Sequence, residues 1–233
     1  MKKRHYFLDS SLTQEIQKHT ITDTEQIKHL KNILKLVPGE EIVLTNGKGF
    51  GAIFAIAEYQ KEGIMLEKTQ DLLKETLGVD IILACAILKQ DHFELVAQKT
   101  TELGITSIIP LVTDRTIKSG IKEIRLQKII KEAAEQSERT TLPALSNVTS
   151  FKEYMSKASA SQRPIYLLDP SGIPHTQLVI EKDKSRTILI GPEGGWTEQE
   201  LAQAHEAGVT IVSLGTTILR AETAAIVGTF WIV

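Results

Sequence analysis

The sequence predicts an α/β protein in two parts: a compact, β-rich barrel over residues 1–70, then a mostly parallel α/β sheet over residues 71–233. Three observations predict it. From Val79 onward, apolar runs alternate with amphipathic stretches, as strands and crossover helices do in a parallel sheet. Ahead of that, short strand-like runs are punctuated by turn residues and include a single helical stretch. Finally, two glycine-containing loops each follow an apolar run and precede a helix, the place where open α/β sheets bind ligands.

In the first part, Tyr6-Phe-Leu opens a strand. Thr24 is placed to cap a helix running to Lys35, with Ile27, Leu30, Ile33, Leu34 and Val37 near helical spacing. Pro38-Gly39 stops it. Glu41-Ile-Val-Leu-Thr is a strand, and Asn46-Gly47 marks a hairpin turn because both residues tolerate positive φ. Phe50 to Tyr59 and Ile64 to Glu67 supply further strands.

In the second part the strands are Val79–Ala86, Ile105–Val112, Ile165–Leu168, Thr187–Ile190 and Val209–Leu214. The helices between them are roughly Asp91–Leu103, Ile121–Arg139 and Thr197–Ala207. The strands are continuous apolar runs, as expected when helices cover both faces of a sheet. Thr197-Glu-Gln-Glu200 fits a capping box and sets the start of its helix.

Composition narrows the function classes. The chain has 233 residues, 42% hydrophobic and 24% charged, with a net charge of −2, which suits a folded globular protein. One cysteine, Cys85, rules out a disulfide scaffold; it lies in an apolar run and reads as a buried core thiol. No stretch reaches ~18 uncharged apolar residues, and no long apolar run follows Met1-Lys-Lys-Arg-His, so the expectation is a cytoplasmic protein without a membrane span. Residues 1–35 carry seven Lys or Arg against four acids, whereas residues 71–233 carry 17 against 20. The asymmetry is mild, and a solvated helix face accounts for it about as well as an anionic partner does.

Gly47-Lys-Gly-Phe-Gly51 is not a nucleotide fingerprint, because the spacing is wrong and a strand follows. No G-x-x-x-x-G-K-[ST] occurs, which argues against a standard NTPase. Two other loops are more informative. Leu189-Ile-Gly-Pro-Glu-Gly-Gly195 closes one strand and precedes Trp196 and the capped helix. Leu214-Gly-Thr-Thr-Ile-Leu-Arg-Ala-Glu-Thr223 follows the next strand and places Arg220 and Glu222 at a strand-to-helix crossing. Together they are expected to line one pocket outside the sheet.

After Lys89, the residues Glu94, Gln98 and Glu102 share one helix face, which spacing alone reads as a solvated face. Arg115 and the Glu135–Arg139 stretch add polar groups. The six histidines are scattered, without H-x-x-x-H or C-x-x-C spacing, so no metal site is expected.

Taken in order, several blocks carry a resemblance. They are Lys89, Glu94-Leu-Val-Ala-Gln-Lys99, Glu102-Leu-Gly104, Thr113-Asp-Arg115, Glu135-Gln-Ser137, Arg139, Ile190-Gly-Pro-Glu-Gly-Gly195 and Ile218-Leu-Arg-Ala-Glu-Thr223. This set resembles the RsmE family, ribosomal RNA small-subunit methyltransferases of the SPOUT superfamily. Arg4-His-Tyr-Phe and His29-Leu-Lys-Asn-Ile-Leu-Lys35 resemble that family's N-terminal domain. One position departs from it: Thr217 stands where the family usually has Arg.

The resemblance implies a PUA-like, RNA-binding β-barrel over 1–70 and a SPOUT α/β domain over 71–233, with a deep trefoil knot within about 165–233. It implies S-adenosyl-L-methionine as cofactor, a homodimer, and methylation of N3 of one uridine in 16S rRNA of the 30S subunit near the decoding centre. Cofactor contacts are then expected from Leu168, Leu189, Ile190, Gly191, Pro192, Glu193, Gly194, Leu214, Gly215 and Leu219. RNA contacts are expected from Arg4, His29, Lys31, Lys89, Arg115 and Arg139. Uridine N3 is a poor nucleophile until its proton leaves, so a base or a cation is needed. Arg220 is the expected cation, and Glu222 either the base or the group that orients Arg220. A SPOUT-type transfer-RNA methyltransferase and a non-catalytic RNA-binding assembly factor are the alternatives.

Overall fold

A computed structural model describes residues 4–72, 78–89, 91–117, 120–158 and 163–233. Two compact units emerge, Met1–Leu77 with Ala134–Leu142, and Gly78–Ala133 with Pro143–Val233.

The first unit holds strands β1 (Tyr6–Leu8), β2 (Lys18–Ile21), β3 (Glu41–Thr45), β4 (Gly51–Tyr59) and β5 (Ile64–Asp71), ordered β1-β3-β4-β5-β2. Leu30, Ile42, Leu44, Phe54, Ile56, Ile64 and Leu66 fill its core. The ladder is open between β1 and β2, so the compact barrel expected from sequence takes the form of a half-barrel. Side chains bridge the gap. His19 on β2 pairs with Asp9 just after β1 at 2.8 Å, and Gln26 Nε2 donates to the Leu8 carbonyl at 3.0 Å. Both edge strands are too short to continue the ladder.

Helix α1 (Thr24–Lys28) is capped by Asp23, whose Oδ1 accepts from the Gln26 N–H at 2.7 Å, and not by Thr24 as expected. It passes directly into a π turn over His29–Ile33, where the Leu34 N–H donates to the His29 carbonyl. That wider turn breaks the 3.6-residue spacing. Leu30 stays in the core, while Ile33 and Val37 turn to solvent, against the expected helical face. Asn46-Gly47 does form a turn, closed by the Asn46 N–H to the Phe50 carbonyl.

Sequence gave no sign that the distant segment Ala134–Leu142 belongs to this unit. Glu135 Oε1 accepts from the Leu8 N–H at 2.7 Å, and the Gly49 N–H donates to the Thr140 carbonyl at 2.9 Å. Part of the expected junction near residue 70, residues 73–77, lies outside the described residues.

The second unit is a parallel sheet of β6 (Ile81–Ala86), β7 (Ser107–Val112), β8 (Ala144–Leu145), β9 (Thr149–Ser150), β10 (Ile165–Pro174), β11 (Arg186–Ile190) and β12 (Thr210–Ser213). The order is β12-β10-β11-β6-β7-β8, with β9 also on β7. Helices α2 (His92–Leu103), α3 (Glu123–Gln136), α4 (Phe151–Ala158), α5 (Glu198–Glu206) and α6 (Ala221–Ile232) connect or follow the strands. β11 is buried along its whole length, as its unbroken apolar run requires. The order turns around β6: β7 lies on one side and β11 on the other, which makes a switch point beside their carboxyl ends.

α6 sits directly on the sheet. A Cβ on Gly228 would lie 2.6 Å from the terminal methyls of Leu168 and Ile188, so any larger residue there would have to displace those side chains. Arg186, 2% exposed, fastens the far end of the helix by donating to the Ile232 carbonyl, and also reaches the Lys184 carbonyl at 2.7 Å. The start of α6 is thereby fixed at the carboxyl ends of the strands. Among the described residues, no helix is long and apolar enough to cross a membrane.

Candidate active site

β11 and β12 end beside Leu168 of β10, which is in register with Ile190 and with Val212; β10 runs on past a register shift to Pro174. Beyond these ends lies a cavity of about 590 Å³, a size that suits a cofactor or drug-sized ligand. The loops after β11 and β12 both line it, as expected.

The β11 loop is held from three sides. Gly191 lies flat against Trp196, where a Cβ would be 3.0 Å from the indole ring. The indole Nε1–H donates to the Leu168 carbonyl at 3.0 Å, so the loop is tied to β10. Arg115 reaches across from the end of β7, donating to the Gly194 carbonyl at 2.8 Å and the Trp196 carbonyl at 3.2 Å. Glu193 Oε1 accepts the Lys89 backbone N–H at 2.8 Å, which fastens the loop to the end of β6.

The capping box beneath this loop does more than start α5. Thr197 and Glu200 bond reciprocally, as the sequence predicts. Glu200 is only 3% exposed, and its other oxygen accepts the Asp114 N–H at 3.0 Å. The residues beside Arg115 are therefore anchored to the same helix start that carries the loop.

Of the residues expected at the cofactor, Leu168, Ile190, Gly191, Pro192, Glu193 and Gly194 line the cavity from β10 and β11. Leu214, Gly215 and Leu219 line it from the β12 loop. Leu189 does not: it is fully buried in the core on the opposite face of β11, because successive strand residues point to opposite faces.

Arg220 and Glu222 reach the same cavity but are not a pair. Arg220 is the N-cap residue of α6 and exposed; its carbonyl accepts the Ala224 N–H at 2.8 Å, while its side chain has no hydrogen-bond or ion-pair partner among the described residues. Glu222, 13% exposed, instead faces His92 Nδ1 at 3.8 Å. The expected Arg220–Glu222 orienting contact is therefore replaced by one with the first residue of α2.

The expected RNA-contact residues are dispersed. In the first unit, Arg4 is ion-paired with Glu41 at 2.8 Å, His29 packs edge-on against Phe7, and Lys31 lies 5.8 Å from the centre of the Tyr59 ring. Arg139 donates to Thr141 Oγ1 at 3.3 Å. In the second unit, the Lys89 side chain is exposed, while the Arg115 guanidinium is engaged with the β11 loop.

Sequence reading missed Asp169, Trp196 and His92 as cavity residues. Trp196 had a usable signal, since a large aromatic beside a glycine loop needs a place to bury itself. His92 had none, because nothing local links the head of α2 to the start of α6. Cys85 is fully buried as expected, and burial pushes its thiol well above the usual range.

Comparison with known proteins agrees with this architecture. Residues 75–232 match a family described as an RNA methyltransferase domain, and residues 21–67 match an RNA methyltransferase PUA domain. The chain is 33% identical to ribosomal RNA small subunit methyltransferase E of Rickettsia conorii, over 97% of this chain and 93% of that one. It is 29% identical to the protein of the same name from Bacillus subtilis, over 95% and 92%. Among solved structures, ribosomal RNA small subunit methyltransferase E of Neisseria gonorrhoeae, bound to S-adenosyl methionine, superposes with a TM-score of 0.85 at 29% identity, covering 97% and 95% of the two chains.

Proposed function

The chain belongs to the RsmE family of RNA methyltransferases, and on that premise we propose that it transfers a methyl group from S-adenosyl-L-methionine to N3 of one uridine in 16S rRNA of the 30S subunit, near the decoding centre. One observation carries this reading. The loops that follow β11 and β12, the second of them carrying Arg220 and Glu222, line a single cavity at the carboxyl ends of those strands.

The residues present fit the cofactor. Leu168, Ile190, Leu214 and Leu219 offer apolar walls for an adenine, while Gly191, Gly194 and Gly215, which carry no side chains, let a ligand approach the loop backbone closely. Bound there, the cofactor supplies an electrophilic methyl group on a sulfonium. The chain's own task is to orient the acceptor in line with that methyl, since orientation accounts for much of the rate. Arg220, unpaired at the mouth of α6, is suited to stabilise negative charge on O4 or O2 of the uridine as N3 loses its proton.

In this reading the half-barrel assists RNA binding through Arg4, His29 and Lys31, with Lys89 and Arg139 adding contacts. Lys31 and Lys89 carry the more available charge, because both are exposed, whereas Arg4 is already paired with Glu41. A deep trefoil knot within about 165–233, a homodimer and a cytoplasmic location belong to the same proposal.

The test is a methylation assay with labelled S-adenosylmethionine. The acceptors are 30S subunits from cells lacking the modification, naked 16S RNA and bulk transfer RNA, with nucleoside analysis of the product. N3-methyluridine on 30S particles is the expected result. A product confined to transfer RNA, or cofactor binding without transfer to any acceptor, overturns it.

A further inference from the structure

His92 heads α2 and lines the same cavity as Arg220 and Glu222. Its Nδ1 is buried without a hydrogen-bond partner, yet the side chain as a whole is 38% exposed. The exposure therefore falls on other atoms of the side chain, and Nε2 is not among the buried atoms that lack a partner. Behind the ring stands Glu222, 13% exposed, with Oε2 3.8 Å from Nδ1. The carboxylate thus sits at the Nδ1 edge of the imidazole, and both groups line the cavity. So placed, a carboxylate fixes the Nδ1–H tautomer, leaves Nε2 free to accept a proton, and steadies the imidazolium that results. The 3.8 Å separation exceeds a hydrogen bond, but catalytic contacts are often long before substrate binds.

We propose that His92, backed by Glu222, is the proton acceptor of this site and that its substrate is an acidic imide N–H. The proposal rests on the reading of uridine N3 as the methyl acceptor. In the step, the N3–H proton passes to His92 Nε2. The N3 electron pair forms the new bond to the methyl carbon. The carbon–sulfur bond breaks, and its electron pair remains on a neutral thioether sulfur. His92 is left as an imidazolium beside Glu222 and returns its proton to solvent.

The charged surroundings suit that end state. Glu222 and Arg220 approach from α6, Glu193 from the β11 loop and Asp169 from β10, with Lys89 and Asp91 flanking His92 on its own segment. The acids outnumber the cations. Arg220 is left with a separate task, stabilising the uridine oxygens, which a single group could not perform together with proton removal.

The test compares the wild type with His92→Asn, His92→Gln and Glu222→Gln. Cofactor binding is measured by calorimetry, and single-turnover methyl transfer to 30S particles is followed from neutral to alkaline pH. His92→Asn should bind S-adenosylmethionine within about two-fold of wild type yet transfer methyl about 10²–10⁴-fold more slowly at neutral pH. The deficit should shrink as pH rises, because hydroxide then ionises the imide directly. Glu222→Gln should give a smaller deficit with the same trend. His92→Gln supplies the same readings if His92→Asn fails to fold. Wild-type rates in the His92 variants overturn the proposal, as does a deficit equal at every pH, which a purely structural role would give. If the wild type makes no N3-methyluridine, the underlying reading falls and takes this one with it. If the wild type is active and the variants match it, this one alone falls.

Discussion

The indole of Trp196 donates to the Leu168 carbonyl at 3.0 Å, joining the loop after β11 to β10. Trp196 is 5% exposed, so the bond is sheltered from water, and Leu168 is itself a wall of the cavity. Trp196→Phe keeps most of the packing but leaves that carbonyl unpaired. The expected cost is about 1–3 kcal/mol of stability together with weaker cofactor binding. Thermal melts and calorimetric titration of S-adenosylmethionine check it; an unchanged melting temperature would count against the tie.

Gly191 and Gly194 of this loop are not equivalent. A Cβ on Gly191 would press the Trp196 ring at 3.0 Å, whereas one on Gly194 would make ordinary contact with Arg115 at 3.4 Å. Gly191→Ala is expected to weaken cofactor binding by about ten-fold or more, because a buried indole cannot withdraw without repacking. Gly194→Ala should change affinity by less. The ratio of the two dissociation constants measures the difference directly.

Arg115 separates two roles that sequence could not. Its guanidinium donates to the Gly194 and Trp196 carbonyls, so we expect Arg115→Met to loosen the cofactor loop. Cofactor affinity should fall while the salt dependence of RNA binding stays nearly unchanged. A phosphate contact would behave oppositely, lowering the salt slope by about one with cofactor affinity intact.

Asp9 gives the half-barrel an acid limit. Burial opposes its charge, but hydrogen bonds from the Ser11 side chain and N–H and the pair with His19 outweigh this, holding the carboxyl below its usual range. A lowered native value means the stabilisation is present above the unfolded value of about 3.9 and is lost as pH falls through the native one. Circular-dichroism melts into acid should therefore show a steeper loss for wild type than for Asp9→Asn. Parallel curves would mean the pair carries no weight.

Much of the fold was legible because burial writes period and run length into a sequence. β6 and β11 are covered on both faces, and their unbroken apolar runs said so. The Thr197–Glu200 cap was legible because its partners are three residues apart. The two-residue strands β8 and β9 were not, since so short a pairing leaves no pattern. Nor was the π turn after α1, where one inserted residue carries Ile33 and Val37 out of the stripe their spacing had promised.

The same division runs through the site. By itself the sequence determined that two glycine loops follow parallel strands and that Arg220 and Glu222 stand at the start of the last helix, because each is a local relation along the chain. Only the tertiary structure decided that Glu222 faces His92 and not Arg220, that Arg115 braces a loop, and that Leu189 points into the core. Those outcomes depend on which strands lie side by side and on how closely α6 settles on the sheet at Gly228. They are contacts between distant segments, fixed by packing in three dimensions, and no spacing within either segment encodes them.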